Sequence, residues 1–380
     1  MRKRTVVGAA LTGAAVVIAV TGVVTHVAYA ATTGSAYVWA SSPGNPSYTA
    51  DAGYSYNSTG GVNTVTHDGT GAGQYTVNLP GLGGFSGTVL VTAYGGNSNS
   101  CKVARWGPSP SNSTIQQVHV QCFTISGAAV DSQYTVSFTN QLGPKHAWLW
   151  ANQASAPLDS PYQPAAAYQA NSTGQSNTVT HRATGVYRVS VPVSNVGSSF
   201  GHWEITAYGT GNERCIFNQF GSSGGATTTA ELADVVCLTP AGQPVDAMFA
   251  TTWVLDGNVL GLPVWQGSGS GYPSMYVESN GQASHTAASD SSPGIVFAGG
   301  GGNLTVTRLS AGTYVVHSPL DPDLSHGGVQ VSTGGNADGT TCNVQYWNPT
   351  DGIHVNCYGT DGKLRDAAVF VGFIGTYLIA

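Results

Sequence analysis

The sequence predicts an all-β protein: three tandem antiparallel β-sandwich modules that follow a signal peptide. Two observations lead to this prediction. The same residue pattern occurs three times along the chain, and nearly every readable segment alternates with a period of two. Clusters of Gly, Pro, Asn and Ser between those segments are typical of turns. The sequence leaves open whether each module is immunoglobulin-like or a jelly roll.

The first 30 residues have the features of a secretory signal peptide. Basic residues occupy positions 2–4, an apolar stretch follows, and Ala28-Tyr29-Ala30 fits a cleavage site. The apolar stretch is almost long enough to span a bilayer, so an uncleaved anchor is the alternative. We expect cleavage after Ala30, secretion to the extracellular space, and no membrane association after cleavage.

The repeated pattern divides the mature chain into three domains, called repeats 1, 2 and 3. They cover residues 31–140, 147–254 and 273–380. Each has a size that is normal for a domain with its own core, so we expect three independently folded modules. The Gly/Ser run at residues 267–271 predicts a flexible connector that lets repeat 3 move.

Repeat 1 shows how the strands are predicted. Runs with period two, rich in Val, Thr and Tyr, predict strands at residues 37–40, 54–57, 63–67, 74–79, 88–94, 101–106, 115–123 and 133–139. About eight short strands with no helical run indicate an antiparallel sandwich.

Each repeat contains two cysteines, at equivalent positions. In an exported protein an even number at repeated positions indicates disulfides. Repetition selects three local bridges, Cys101–Cys122, Cys215–Cys237 and Cys342–Cys357. Metal binding is the alternative, but the spacings typical of zinc sites are missing, and we expect no metal or other cofactor.

Three further residue types recur in every repeat, and each has a structural explanation. A glycine before a strand suits a turn with positive φ, a tyrosine can bury its ring and bond its hydroxyl to backbone, and an aspartate can bond local amides. The residues are Gly71, Gly185 and Gly312; Tyr75, Tyr187 and Tyr314; and Asp131, Asp246 and Asp366.

The charge balance excludes one class of partner. The chain has 12 Lys and Arg against 18 Asp and Glu; without the signal peptide nine basic residues remain, a net charge of −9. An acidic chain with only 8% charged residues has no basic surface for nucleic acid.

One aromatic residue per repeat is the candidate for ligand binding. Trp106, Phe220 and Trp347 follow the first cysteine of their repeat by five residues. An odd offset in a regular strand places the ring opposite the cysteine. There it could stack on a sugar or contact a neighbouring domain. The interpretation that we favour over ligand contact is a β-bulge that turns the ring back onto the disulfide and into the core, because aromatic residues are more often buried than displayed.

An enzyme remains the second hypothesis, although no catalytic residue is assigned. The polar residues of repeat 2 are dense, and a secreted hydrolase that acts on a polymer would place its site around His202 and Glu204. Convergence of these two with Glu213 and Asp234 in one pocket would favour it. His202 and Glu204 alternate with apolar residues, which instead indicates an outward polar face.

The repeated motifs resemble a known kind of protein. Residues 63–77 (NTVTHDGTGAGQYTV) recur as residues 177–189 (NTVTHRATGVYRV), and residues 91–101 (VTAYGGNSNSC) recur as residues 205–215 (ITAYGTGNERC). These segments resemble uncharacterised secreted tandem-repeat β proteins of high-GC Gram-positive, actinobacterial-type bacteria. The resemblance implies secretion and supplies no site residues. Together with the composition it leads us to expect a non-enzymatic binding or surface-interaction protein, with polysaccharide or cell-surface glycan as the expected partner.

Overall fold

The computed structural model describes residues 33–69, 71–194, 201–223, 229–264, 274–279, 285–286, 296–298, 304–317, 324–335 and 337–375. Within these ranges the chain forms 27 strands, two single-turn 3₁₀ helices (Ala52–Tyr54 and Ala166–Tyr168) and no α-helix. The all-β fold class is therefore confirmed. The signal peptide and the predicted connector at residues 267–271 lie outside the described residues.

Repeat 1 contains nine strands in two antiparallel arrangements. The strands are β1 (Ser35–Ala40), β2 (Ser47–Thr49), β3 (Ser55–Asn57), β4 (Thr64–His67), β5 (Gln74–Pro80), β6 (Thr88–Tyr94), β7 (Ser100–Pro108), β8 (Ile115–Phe123) and β9 (Gln133–Thr139). Four of them lie in the order β6-β9-β1-β3, and five in the order β7-β8-β5-β4-β2. All eight predicted strands are present within a few residues, and β2 is the strand that the prediction missed.

Repeat 2 follows the same plan. Its strands are β10 (His146–Ala151), β11 (Pro161–Tyr162), β12 (Gln169–Asn171), β13 (Thr178–Ala183), β14 (Val186–Pro192), β15 (His202–Tyr208), β16 (Arg214–Ser223), β17 (Ala230–Leu238) and β18 (Met248–Val254). They lie in the orders β15-β18-β10-β12 and β16-β17-β14-β13-β11.

Repeat 3 follows it again. Its strands are β19 (Ser274–Ser279), β20 (His285–Thr286), β21 (Val296–Ala298), β22 (Thr305–Ser310), β23 (Thr313–His317), β24 (Gly328–Gly334), β25 (Thr341–Asn348), β26 (Gly352–Tyr358) and β27 (Ala368–Ile374). Their orders are β24-β27-β19-β21 and β25-β26-β23-β22-β20.

The burial of the strands shows which side of each repeat is covered. In β8 every second residue is buried, so one face packs on the core and the other meets solvent. In β6 and β15 six consecutive residues are buried, and the same holds at β24. The four-stranded arrangements are therefore covered on both faces, by their own core and by the other repeats.

Three disulfides join the paired strands that were expected to carry them. They are Cys101–Cys122 between β7 and β8, Cys215–Cys237 between β16 and β17, and Cys342–Cys357 between β25 and β26. There is no free cysteine among the residues that the structure describes. The predicted local pairing is confirmed.

Sheet pairing crosses the repeat boundaries, so the repeats are in direct contact, and the independent folding of each repeat stays a prediction. Strand β7 pairs in parallel with β15 at Val103 and Tyr208, and β6 pairs in parallel with β25 at Tyr94 and Val344. Residues Ala31–Ala380 form one compact unit.

The segment after repeat 2 also packs firmly as far as residue 264. Val259, Leu260 and Leu262 are buried in a cluster with Tyr37 and Leu90 of repeat 1. A segment rich in Gly and Asn is typical of a linker. Here, however, the apolar residues of the segment pack against repeat 1.

Candidate functional site

Three glycines determine how the repeats meet. They directly follow β6, β15 and β24, and their positive φ angles of 113°, 115° and 86° are conformations that glycine adopts without steric cost. Each backbone N–H donates to a carbonyl of a neighbouring repeat: Gly95 to Val344 (2.8 Å), Gly209 to Val103 (2.9 Å) and Gly335 to Phe217 (3.0 Å). The bonds link repeat 1 to 3, 2 to 1, and 3 to 2. The three repeats thus close into a ring with an approximate threefold axis.

A β-bulge decides where the candidate ligand-binding rings lie. The register of β7 against β8 shifts between Val103 and Arg105, and equivalent shifts occur in β16 and β25. One extra residue turns an odd offset into an even one. Trp106 therefore lies on the same face as Cys101 and joins the same core cluster. The interpretation favoured from the sequence, a bulge, is confirmed.

Trp106 packs at the junction of repeats 1 and 2. Its side chain is only 8% exposed. Its ring lies edge-on to Trp150, Tyr168 and Tyr208 of repeat 2, with centroids 5.5, 5.8 and 5.2 Å away. Trp106 is therefore a core residue of the junction, as the favoured interpretation expected, because the neighbouring repeat covers its ring.

Trp347 occupies the equivalent place between repeats 3 and 1. It is 6% exposed. Its partners are Trp39, Tyr54 and Tyr94 of repeat 1, at centroid distances of 5.9, 5.6 and 5.5 Å. The two four-ring groups match position by position, and we call them the aromatic clusters.

Phe220 lies at the third junction, between repeats 2 and 3, where fewer of the described aromatic rings meet than at the other two junctions. Its ring is partly buried and lies edge-on to Phe370 of repeat 3 at 5.1 Å. Gly334 stands where the other junctions have Tyr94 and Tyr208. The three candidate rings are therefore not brought together, and each belongs to a different junction.

The polar pair of repeat 2 is sealed in the interface with repeat 3. His202 and Glu204 are 0% and 1% exposed, with His202 Nε2 2.9 Å from Glu204 Oε1. The Ser332 hydroxyl of repeat 3 donates to the other carboxylate oxygen. Burial raises the pKa of Glu204, and the bond to His202 opposes that shift. The two side chains do leave their own core, as the alternation indicated, but repeat 3 covers them.

The other two polar residues of the enzyme hypothesis lie in separate ion pairs. Lys102 Nζ of repeat 1 lies 2.7 Å from Glu213 Oε2. Arg188 makes a two-pronged contact with Asp234, at 2.7 and 2.8 Å. Glu213 and Asp234 therefore do not converge with Glu204 on one pocket, which is what a hydrolase site would require.

The recurring aspartates bind a turn far away in the sequence, and not the local amides that the sequence predicted. Asp131, Asp246 and Asp366 each accept a backbone N–H, from Gly73 (2.6 Å), Gly185 (2.7 Å) and Gly312 (2.8 Å). In repeat 1 the glycine with positive φ is Gly73, at 74°, so the assignment of this role to Gly71 is corrected.

The recurring tyrosines behave as predicted. The rings of Tyr75, Tyr187 and Tyr314 are fully buried. Their hydroxyls accept backbone N–H bonds from Ser132 (3.1 Å), Ala247 (3.1 Å) and Ala367 (3.2 Å). Each aspartate and tyrosine together fix the chain that leads into the last strand of the repeat.

A cavity of about 60 Å³ lies on the approximate threefold axis. Equivalent residues of all three repeats line it, which places it where the junctions meet. Its walls include the residues around the first cysteine of each repeat and the ends of β6, β15 and β24: Thr92, Ser100, Lys102, Thr206, Glu213, Arg214, Ser332, Thr341 and Asn343.

A second cavity, of about 240 Å³, lies between the start of repeat 2 and the segment that follows it. His146 on its wall is fully buried, and burial lowers the pKa of this imidazole to about 3. Lys145 and Asp256, also on its wall, pair with each other at 3.0 Å. The cavity offers a mostly apolar space with one neutral imidazole.

Comparison with models of protein families, with curated proteins and with solved structures finds no match for the chain. The resemblance to secreted tandem-repeat proteins therefore stays a prediction. Within the ranges that the structure describes, no group of three or more His, Cys, Asp or Glu side chains could hold a metal ion. No helix in those ranges is long and apolar enough to cross a membrane.

Proposed function

We propose that this is an exported protein that acts by binding, with a polysaccharide or cell-surface glycan as its ligand. The supporting observation is that most of the ionisable side chains considered for catalysis lie in the contacts between repeats. Glu204, His202, Glu213 and Lys102 hold one repeat against another. A hydrolase around His202 and Glu204 gains no support, because a polymer cannot reach buried side chains.

We further infer that each repeat is one antiparallel β-sandwich module. A four-stranded and a five-stranded arrangement recur in each, and one buried core cluster belongs mainly to each repeat. Export agrees with the three disulfides, which persist in oxidising compartments.

The rims of the aromatic clusters are the surface that suits a sugar. Tyr54 and Tyr168 lie at the ends of the two 3₁₀ turns, and both residues are partly exposed while Trp347 and Trp106 beneath them are buried. Sugar C–H faces pack on such rings. The chain also has few charges, which suits a neutral polysaccharide. Two rims on one rigid ring would bind a polymer with avidity.

The test is retention on insoluble polysaccharides and isolated cell walls. The double variant Tyr54→Ala/Tyr168→Ala should lose most of the retention, because it removes both rims. Phe85→Ala is the matched control, since its ring is 63% exposed but lies outside both clusters. Thermal unfolding of each variant confirms that it is folded before binding is compared.

Two results would contradict the proposal. One is failure of the wild-type protein to bind any polysaccharide or cell wall. The other is equal retention of the double variant and the Phe85→Ala control, which would place the binding surface elsewhere.

A further inference from the structure

The cavity on the threefold axis is lined by one residue from an equivalent position of each repeat, and these three residues differ in chemistry. Ser100, Arg214 and Thr341 each directly precede the first cysteine of their repeat, and all three line the cavity. Two repeats thus contribute a hydroxyl, and the third contributes a guanidinium.

Arg214 is the group that the described contacts leave incompletely bonded. Its side chain is only 7% exposed. Nη2 donates to the carbonyl of Ile125 in repeat 1. Nε and Nη1 have no acceptor within the described residues, and neither does the Thr341 hydroxyl. Burying unbonded donors of a cation is costly, so an acceptor at this place would stabilise the fold.

The charges around the cavity do not cancel. Lys102 and Arg214 contribute two positive charges, and Glu213 contributes one negative charge through its 2.7 Å contact with Lys102. The nearby Glu204 is bonded to His202 and to Ser332. One positive charge therefore stays uncompensated among these cavity-lining groups, and a single monovalent anion would balance it.

The cavity size agrees with a small occupant. Its volume of about 60 Å³ exceeds the roughly 10–15 Å³ that one water molecule needs. A halide ion together with a few water molecules fits this space.

We propose that the axial cavity binds one small monovalent inorganic anion, of the halide class, held by Arg214 and Thr341. The anion lies where all three repeats meet, so it stabilises the closed ring. This role is separate from ligand binding at the outer surface.

The direct experiment is crystallography of the mature protein with bromide in place of chloride. Anomalous diffraction should show a bromide peak in the axial cavity, within contact distance of the Arg214 guanidinium. In solution, the unfolding temperature should rise saturably when gluconate is replaced by chloride or bromide at constant ionic strength.

Variants separate a specific site from a general salt effect. Thr341→Val keeps the shape and removes one donor, and should weaken halide affinity by about threefold to tenfold, the worth of one hydrogen bond. Arg214→Gln should weaken it by more than about tenfold, because a charged donor is lost. Arg182→Gln, at an exposed pair with Asp159, is the control that should change nothing.

Three results would overturn the proposal. One is a bromide crystal with only water in the cavity. Another is an unfolding temperature that depends on ionic strength but not on which anion is present. The third is unchanged halide affinity in Thr341→Val. If Arg214→Gln does not fold, the bromide crystal and Thr341→Val still decide the question.

Discussion

Removing the Trp347 ring tests whether the aromatic clusters hold the repeats together. Trp347 is 6% exposed and packs on Trp39, Tyr54 and Tyr94 across a repeat boundary. Truncating a buried tryptophan to alanine costs about 3–5 kcal/mol. We therefore expect Trp347→Ala to lower the free energy of unfolding by about that amount, measured by urea denaturation.

A double-mutant cycle makes the test specific to the junction. Trp39→Ala removes the partner ring in repeat 1, and the two changes should couple by about 0.5–3 kcal/mol because the rings touch. The control, Phe85→Ala, should change stability by less than about 0.5 kcal/mol, since the ring is exposed. A cost below about 1 kcal/mol for Trp347→Ala, or no coupling with Trp39, would refute the reasoning. A Trp347 ring that was exposed to bind a sugar would give such a small cost and no coupling.

Two further predictions concern an ion pair and the disulfide of repeat 3. The Arg308 guanidinium beside Asp366 holds the pKa of that carboxyl at about 2. Its folded-state pKa lies below the unfolded one, so its stabilisation is present above about pH 4 and is lost as the pH falls towards 2. Asp366→Asn should therefore lower the urea midpoint at pH 7 and lower it clearly less at pH 2, where the carboxyl is about half protonated; a difference that is constant with pH would contradict this. Replacing Cys342 and Cys357 by alanine should cost about 2–5 kcal/mol in the same assay. Wild-type stability in that variant would show that the bridge is dispensable.

The parts of the fold that are local could be predicted from the sequence. Period-two runs located the strands of repeat 1, and repetition selected the correct pairing of the six cysteines. The expectation that Tyr75 buries its ring and bonds its hydroxyl to backbone is correct. The expectation for Asp131 is not, because its carboxylate bonds Gly73 and not a local amide. The strand β2 was missed because three residues are too few to show a period.

The parts that depend on long-range packing could not be predicted. The bulge before Trp106 inserts one residue without disturbing the apolar pattern, so the sequence alone could not choose the face of the ring. The alternation in β15 predicts that His202 and Glu204 face solvent, because the sequence of β15 carries no signal that repeat 3 covers these side chains. One signal was present: the Tyr-Gly pairs at Gly95 and Gly209 recur at the ends of equivalent strands, where each glycine bonds the next repeat.

The central claim is that three repeats close into one compact ring, and small-angle X-ray scattering of the mature chain tests it most directly. A compact body formed by residues Ala31–Ala380 should have a radius of gyration of about 20 Å. Three separate modules in a row would give about 30 Å by the same scaling. We expect the smaller value, unchanged by dilution. A value near the larger one would contradict ring closure and the junction roles assigned to Trp106, Trp347 and Glu204.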